Sequence, residues 1–247
     1  MGVGGKIVIG LTGSFGSGCS TLSKALVDKK FKAVSLSNIV HKKWQEQNPG
    51  KPPESATRTQ LQDIGNNLRK EKGNNAFLAE NAIKEASFRK KNEHMLVFDS
   101  IRHPEEIVAL RKKFRNCFII AFGSSSQERW ARLKKDYESK NLTFRDFEVD
   151  DERDANEDIS YGQKVQLCVD SADISIKNEK NYPLKYKQRE ELYKKIKPYI
   201  DLVTGIEIRP PSPDESIMAI AYTKALSSSC YKRQVGAVIQ NENGIVL

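Results

Sequence analysis

No run of apolar residues in this 247-residue chain approaches the ~20 that cross a bilayer, and the N-terminus lacks the apolar stretch of a secretory signal. A membrane-spanning helix is excluded, and a cytoplasmic location is the default expectation. The four cysteines, Cys19, Cys117, Cys168 and Cys230, lie far apart and form no CxxC pair. That argues against a disulfide framework and for reduced thiols. Histidine is scarce, with His41, His94 and His103 the three present, and no PCxxC sequence occurs. His103, Pro104 and Glu105 spell HxE, but with no cysteine pair to complete a zinc site the match reads as chance. One absence is local: residues 13–20 (GSFGSGCS) have the glycine spacing of a phosphate-binding loop, yet Cys19 stands where a lysine is expected.

What is present fits a soluble globular protein, with charged residues at 30% and hydrophobic ones at 38%. A net charge of +9 suits a protein that handles polyphosphates or nucleic acid, because lysine and arginine attract such ligands from a distance. The charge is uneven: residues 146–158 (DFEVDDERDANED) are acidic and residues 177–197 are lysine-rich. Two solvated faces of opposite sign account for this, and an RNA-binding or subunit-docking surface is the alternative.

The order of elements points to an α/β fold, a parallel sheet covered by helices on both faces. Residues 6–11 (KIVIGL) read as a strand feeding the glycine loop, and residues 20–30 as the helix after it, with Leu22, Leu26 and Val27 at helical spacing. A second apolar stretch covers 31–36. Residues 59–91 carry two helical patterns separated by Gly73, with Asn74 or Asn75 as cap. Residues 94–98 (HMLVF) form a buried strand ending in Asp99, Pro104 opens a helix to about residue 114, and 117–122 (CFIIAF) form another strand. A basic helix follows over 126–139, then the acidic segment, a helix near 161–169 and a short strand at 173–176. Residues 178–204 are expected to form one or two amphipathic helices bridging to a further domain. Three prolines in residues 209–213 (RPPSP) mark the linker.

The glycine loop carries the chemistry. Gly13, Gly16 and Gly18 allow the backbone to wrap a phosphate with its N–H groups inward, and the helix that follows adds its positive N-terminal end. The expected nucleotide contacts are Gly13, Ser14, Phe15, Gly16, Ser17, Gly18, Cys19, Ser20 and Thr21. Ser20 through its hydroxyl and Asp99 at its strand end are the expected ligands of a magnesium ion accompanying a nucleoside triphosphate. Cys19 supplies no cation for the β and γ phosphates, and Lys24 lies a helical turn too far on, so slow or absent phosphotransfer is expected. Cys19 at a helix N-terminus reads either as redox-sensitive or as an inert replacement of the lysine.

Residues 57–77 (TRTQLQDIGNNLRKEKGNNAF), 97–114 (VFDSIRHPEEIVALRKKF) and 158–179 (DISYGQKVQLCVDSADISIKNE) resemble the dephospho-CoA kinase and deoxynucleotide kinase branch of the P-loop kinases. The resemblance implies a mobile lid after the fourth strand, with Arg129 and Arg132 of ERWARLKKDY in the place of its phosphate-contacting arginines. Arg102 and Arg69 are further phosphate candidates, or solvated surface arginines.

Residues 216–246 (SIMAIAYTKALSSSCYKRQVGAVIQNENGIV) read as a helix, a tight turn, a strand VGAVI, a hairpin turn at 241–244 and a second strand. The pattern is similar to the start of a deoxycytidylate deaminase domain, a zinc enzyme whose HxE and PCxxC residues are not in these 247 residues. Cys230 reads as a buried turn residue, not a zinc ligand. Together the two parts resemble the two-domain anti-phage dCTP/dCMP deaminases. That implies residues 1–178 as a nucleotide-binding regulatory domain, 179–212 as bridge and linker, and 213–247 as the beginning of the deaminase domain. Zinc would belong to the full-length protein only. The resemblance also implies a homo-oligomer and a small inhibitory RNA as partner. The alternatives are an active nucleoside monophosphate or dephospho-CoA kinase, and a basic RNA-binding module using residues 177–197.

Overall fold

Ile7–Thr12 (β1) is buried at every position, and its side chains alternate between two cores. Val8 enters one hydrophobic cluster, whereas Ile9 and Leu11 enter the other. A strand that is apolar on both faces belongs in the middle of a covered parallel sheet. The computed structural model describes residues 6–87, 94–179, 185–230, 234–242 and 244–246. In it β1 pairs in parallel with Met95–Ile101 (β3) on one side and Asn116–Gly123 (β4) on the other. Lys32–Ser35 (β2) and Ile174–Lys177 (β5) complete the order β2-β3-β1-β4-β5, all parallel.

Helices cover both faces. One cluster is built on Asn38–Gln47 (α2), Arg58–Lys72 (α3), Phe77–Ser87 (α4), Pro104–Lys113 (α5) and Val165–Asp170 (α8). The other buries Leu22 and Leu26 of Cys19–Val27 (α1) against Leu192, Ile196 and Ile200 of Lys185–Thr204 (α9). The expected break between two helical patterns is present: α3 opens on a capping box at Thr57 and Gln60 and ends at Gly73, whose φ of 56° is the left-handed cap glycine adopts without strain. His103 caps α5, its Nδ1 accepting from the Glu105 amide at 3.2 Å, so the HxE match is a helix start.

Several expectations need correction. β3 does not end at Asp99 but runs to Ile101, because Ile101 is buried in the core behind it. The acidic segment is a helix, Phe144–Ala155 (α7), packed beside Ser126–Glu138 (α6) and not merely a solvated face. Its Phe147, Asp150 and Asp154 are buried. Residues 235–239 form no strand; only an isolated bridge joins Gln240 to Val246, and Val235 and Ile239 are exposed. Among the described residues no strand lies alongside them to pair with. Cys230 is exposed rather than buried.

The chain divides into two compact units, one ending at Thr204 and one beginning at Gly205. The segment expected to bridge the domains contains α9, which packs on α1 within the first unit. Residues 180–184 of that segment, and Arg233 of the deaminase-like pattern, lie outside the described residues. The second unit holds Pro213–Leu226 (α10), opened by a capping box between Ser212 and Glu215. Among the described residues no helix is long and apolar enough to cross a membrane.

Candidate functional site

The glycine loop leaves the central strand and enters α1 directly. Gly13, Gly16 and Gly18 have φ of 140°, 79° and 121°, values L-residues rarely adopt. Space is equally restrictive. A Cβ at Gly13 would lie 2.4 Å from the Phe122 carbonyl oxygen, one at Gly16 would lie 2.7 Å from Leu133 Cδ1, and one at Gly18 would lie 2.6 Å from Asn178 Nδ2. No side chain caps α1. Its first N–H groups are therefore left for a ligand, and an anion is what the helix N-terminus favours.

Asn178 and Arg132 hold the loop from the β4–β5 side, and Arg129 of α6 adds a longer bond to the Phe15 carbonyl at 3.4 Å. Asn178, just past β5, donates from Nδ2 to the Ser17 carbonyl at 2.7 Å and from its backbone to Gly123 at 2.8 Å. Arg132 on α6 donates to the carbonyls of Gly16 at 2.9 Å and Asn178 at 2.7 Å. Sequence reasoning missed Asn178, since a lone asparagine after a short strand carries no recognisable pattern. Phe15 faces the other way, its ring meeting Phe147 of α7 edge-on at 5.3 Å with the Arg58 guanidinium 4.8 Å from its centre.

Cys19 is not a substitute cation, nor is it a reactive thiol. Its Sγ donates to the Thr12 carbonyl at 3.1 Å, and burial pushes its pKa up to about 11, with Ser17 and Arg102 only partly opposing. The thiol stays neutral at pH 7, and the inert alternative is the one the geometry favours.

A cavity of about 460 Å³ opens at the loop. All nine loop candidates, Gly13 through Thr21, line it, as do Arg69, Arg102 and Arg132, but not Asp99 or Arg129. Asp99 is 8% exposed and accepts from the hydroxyls of Ser35 and Ser100. Arg129 is bound through two hydrogen bonds to Asp151, at 2.5 and 2.6 Å. Arg69 is no surface arginine: it is 1% exposed and paired with Glu106 at 2.8 Å. Among the described residues no group of three or more histidine, cysteine or acidic side chains could hold a metal. Of the two expected magnesium ligands, Ser20 lines the cavity and Asp99 does not.

Part of the cavity wall comes from α3. Arg58, Gln62, Gly65 and Arg69 recur at helical spacing and all line the cavity. Arg58 and Arg102 converge on Asp154 of α7, at 2.6 and 2.5 Å, and that carboxylate is fully buried. Burial acts to raise the Asp154 pKa, but the charges of Arg102 and Arg58 outweigh it and hold the carboxyl below its ordinary value. His41 is pushed down, first by burial and then by Arg58, so it is neutral at pH 7.

No protein-family model matches the chain. Over 190 residues it is 30% identical to a UPF0200 protein of Methanococcus maripaludis, a match covering 76% of this chain and 97% of that protein. A UPF0200 protein of Thermococcus kodakarensis is 27% identical over 198 residues, covering 79% of this chain and 97% of that one. Among solved structures, a shikimate kinase from Bacteroides thetaiotaomicron aligns with TM-score 0.49 and 13% identity over 77% of this chain and 98% of that chain. A dephospho-CoA kinase from Campylobacter jejuni aligns with TM-score 0.42 and 16% identity over 81% and 98%. Likeness at that level carries no argument about activity.

Proposed function

This chain belongs to the UPF0200 family, and we propose that it binds the phosphates of a nucleoside triphosphate in its glycine loop, with magnesium at Ser20 and Asp99, while transferring phosphate slowly or not at all. The observation that carries the reading is the loop itself: three glycines at positive φ, a backbone conformation L side chains rarely adopt, ahead of a helix whose N-terminal amides have no side-chain cap. Arg132 lines the cavity at the loop. Its hydrogen bonds to loop carbonyls let it steady the backbone and meet phosphate charge from the α6 side.

The test is a comparison of the wild type with Cys19→Lys, in ATP binding and in ATP turnover. The wild type is expected to bind Mg·ATP with turnover near background, and C19K to raise turnover at least about tenfold by offsetting charge at the β and γ phosphates. Bound ATP with unchanged turnover in C19K would leave binding as the function and remove the active-kinase alternative. No ATP binding by either protein would sink the proposal.

A finer reading assigns residues 1–178 to a regulatory nucleotide-binding domain, 179–212 to a bridge and linker, and 213–247 to the start of a zinc-dependent deoxycytidylate deaminase domain. The full-length protein would then convert deoxycytidine nucleotides to deoxyuridine nucleotides. Its support is the resemblance of residues 216–246, and the match to the Methanococcus protein leaves about a quarter of this chain outside it. An encoded continuation without HxE and PCxxC would dispose of it. The RNA-binding alternative has less support, since Lys194 and Lys197 of α9 pair with Glu190, Glu191 and Asp201 on their own helix.

A further inference from the structure

We propose that Phe15 is a positioning residue for the glycine loop: its ring, held between Arg58 of α3 and Phe147 of α7, keeps the loop amides in their anion-binding arrangement before a nucleotide arrives. The proposal rests on the glycine-loop reading and adds what sets the loop's shape. Residues 13–18 (GSFGSG) need such a device. Their three glycines let the backbone take the required positive φ values and let it leave them as easily, so the loop has much conformational freedom to lose when it closes on a phosphate. Phe15 is the one large side chain in that stretch.

The half-buried Phe15 ring is engaged on more than one side. Phe147 meets it edge-on, with centres 5.3 Å apart and an angle of 64° between the planes. The Arg58 guanidinium lies 4.8 Å from its centre, and that of Arg129 lies 6.0 Å from it and 5.5 Å from the Phe147 ring. Neither cation is loose: Asp154 fixes Arg58 at 2.6 Å, and Asp151 fixes Arg129 at 2.5 and 2.6 Å. Edge-on aromatic pairs and guanidinium–ring contacts attract beyond the area they bury. Arg129 also donates to the backbone carbonyl of Phe15 at 3.4 Å, so main chain and side chain are tied to the same pair of helices.

An anchor is useful when what it grips does not move. Phe147 is fully buried, with the rings of Trp130, Tyr137 and Phe144 within 6 Å of its own. Asp150, on the same helix, accepts from the hydroxyls of Thr59 and Tyr137 at 2.8 Å each, and its carbonyl accepts from Gln62 at 3.0 Å. These contacts fasten α7 to α3 and α6, and Phe15 fastens the loop to that assembly. Phe15 lines the cavity and Phe147 does not. A change at Phe147 therefore reaches a bound nucleotide through its neighbours, and Phe15 is the one of them in the loop.

The experiment is calorimetric titration of the full chain with Mg·ADP, for wild type, Phe15→Ala, Phe15→Tyr, Phe147→Leu and the F15A/F147L double variant, with 15N relaxation of residues 14–20 in the ligand-free proteins. Absence of binding by the wild type would sink the glycine-loop reading itself, so that failure is separate from failure here. F15A is expected to weaken binding about tenfold, the upper worth of one aromatic pair, and to lower the ligand-free order parameters of the loop from about 0.85 toward 0.6. F15Y, which keeps the ring, is expected to recover most of both losses. F147L is expected to weaken binding in the same direction, and the double variant to bind no worse than F15A, since both changes cut one coupling. Melting curves establish that each variant is folded; if F147L does not fold, the order parameters of F15A decide. Wild-type affinity in F15A would overturn the proposal. So would weakened binding with the ligand-free loop as ordered as in wild type, which would make Phe15 a direct contact of the nucleotide.

Discussion

Gly16→Val is expected to weaken ADP and ATP binding at least about 100-fold while the protein still unfolds cooperatively. The φ of 79° at Gly16 places an L side chain in the left-handed region, at a cost of roughly 1–2 kcal/mol. The clash is the larger effect: a Cβ would stand 2.7 Å from Leu133 Cδ1 and 3.2 Å from Arg129 Cβ. Leu133 can swing its end aside, but the Arg129 Cβ contact and the added γ-methyls of valine press the loop and α6 apart. Because Arg132 on the same helix holds the Gly16 carbonyl, the shift takes backbone amides away from the phosphate position. A phosphate held by several convergent N–H groups loses most of them together. Calorimetric titration and a thermal melt check this prediction; undiminished affinity in a folded variant would show that the loop is not where nucleotide binds.

The second large effect is on stability. Asp154→Ala leaves Arg58 and Arg102 facing each other, without the carboxylate that both now contact. Removing one member of a buried ionic group costs about 3–5 kcal/mol. In a chain of this size each kcal/mol corresponds to about 2–4 °C. A fall in Tm of about 6–20 °C is therefore expected by scanning calorimetry, and a Tm within about 2 °C of wild type would refute the assignment. The sign of the pH dependence follows from the pKa. Asp154 is lowered from an ordinary 3.8 in the folded state, so its contribution is complete above that value and disappears as pH falls through the lower folded value. The gap between wild type and D154A should accordingly be full at neutral pH and narrow only below about pH 4.

The elements that sequence patterning revealed are those whose side chains carry an unambiguous signal. KIVIGL, HMLVF and CFIIAF are apolar runs of strand length, and they became the three central strands. Gly13, Gly16 and Gly18 were legible because their spacing encodes a backbone shape, and the shape is there. The α7 helix was not legible because its buried face is partly acidic: Asp150 and Asp154 read as solvated charge until Arg58, Arg102, Tyr137 and Thr59 are brought to them from elsewhere in the chain. The same blindness covered Arg58 and Gln62, polar residues on an amphipathic helix whose polar stripe faces a cavity instead of water. A signal did exist there, since residues 58, 62, 65 and 69 share one helical face. The apolar VGAVI segment shows the converse, a strand pattern that forms no strand because no partner strand lies beside it among the described residues.

The central claim is that backbone amides of the glycine loop bind a nucleotide's phosphates. The most direct measurement is titration of the 15N-labelled chain with Mg·ADP, following every assigned amide. The largest shifts are expected at residues 14–20, saturating together at one dissociation constant. Saturable shifts confined to other residues, or no saturable shift at 14–20, would contradict the claim.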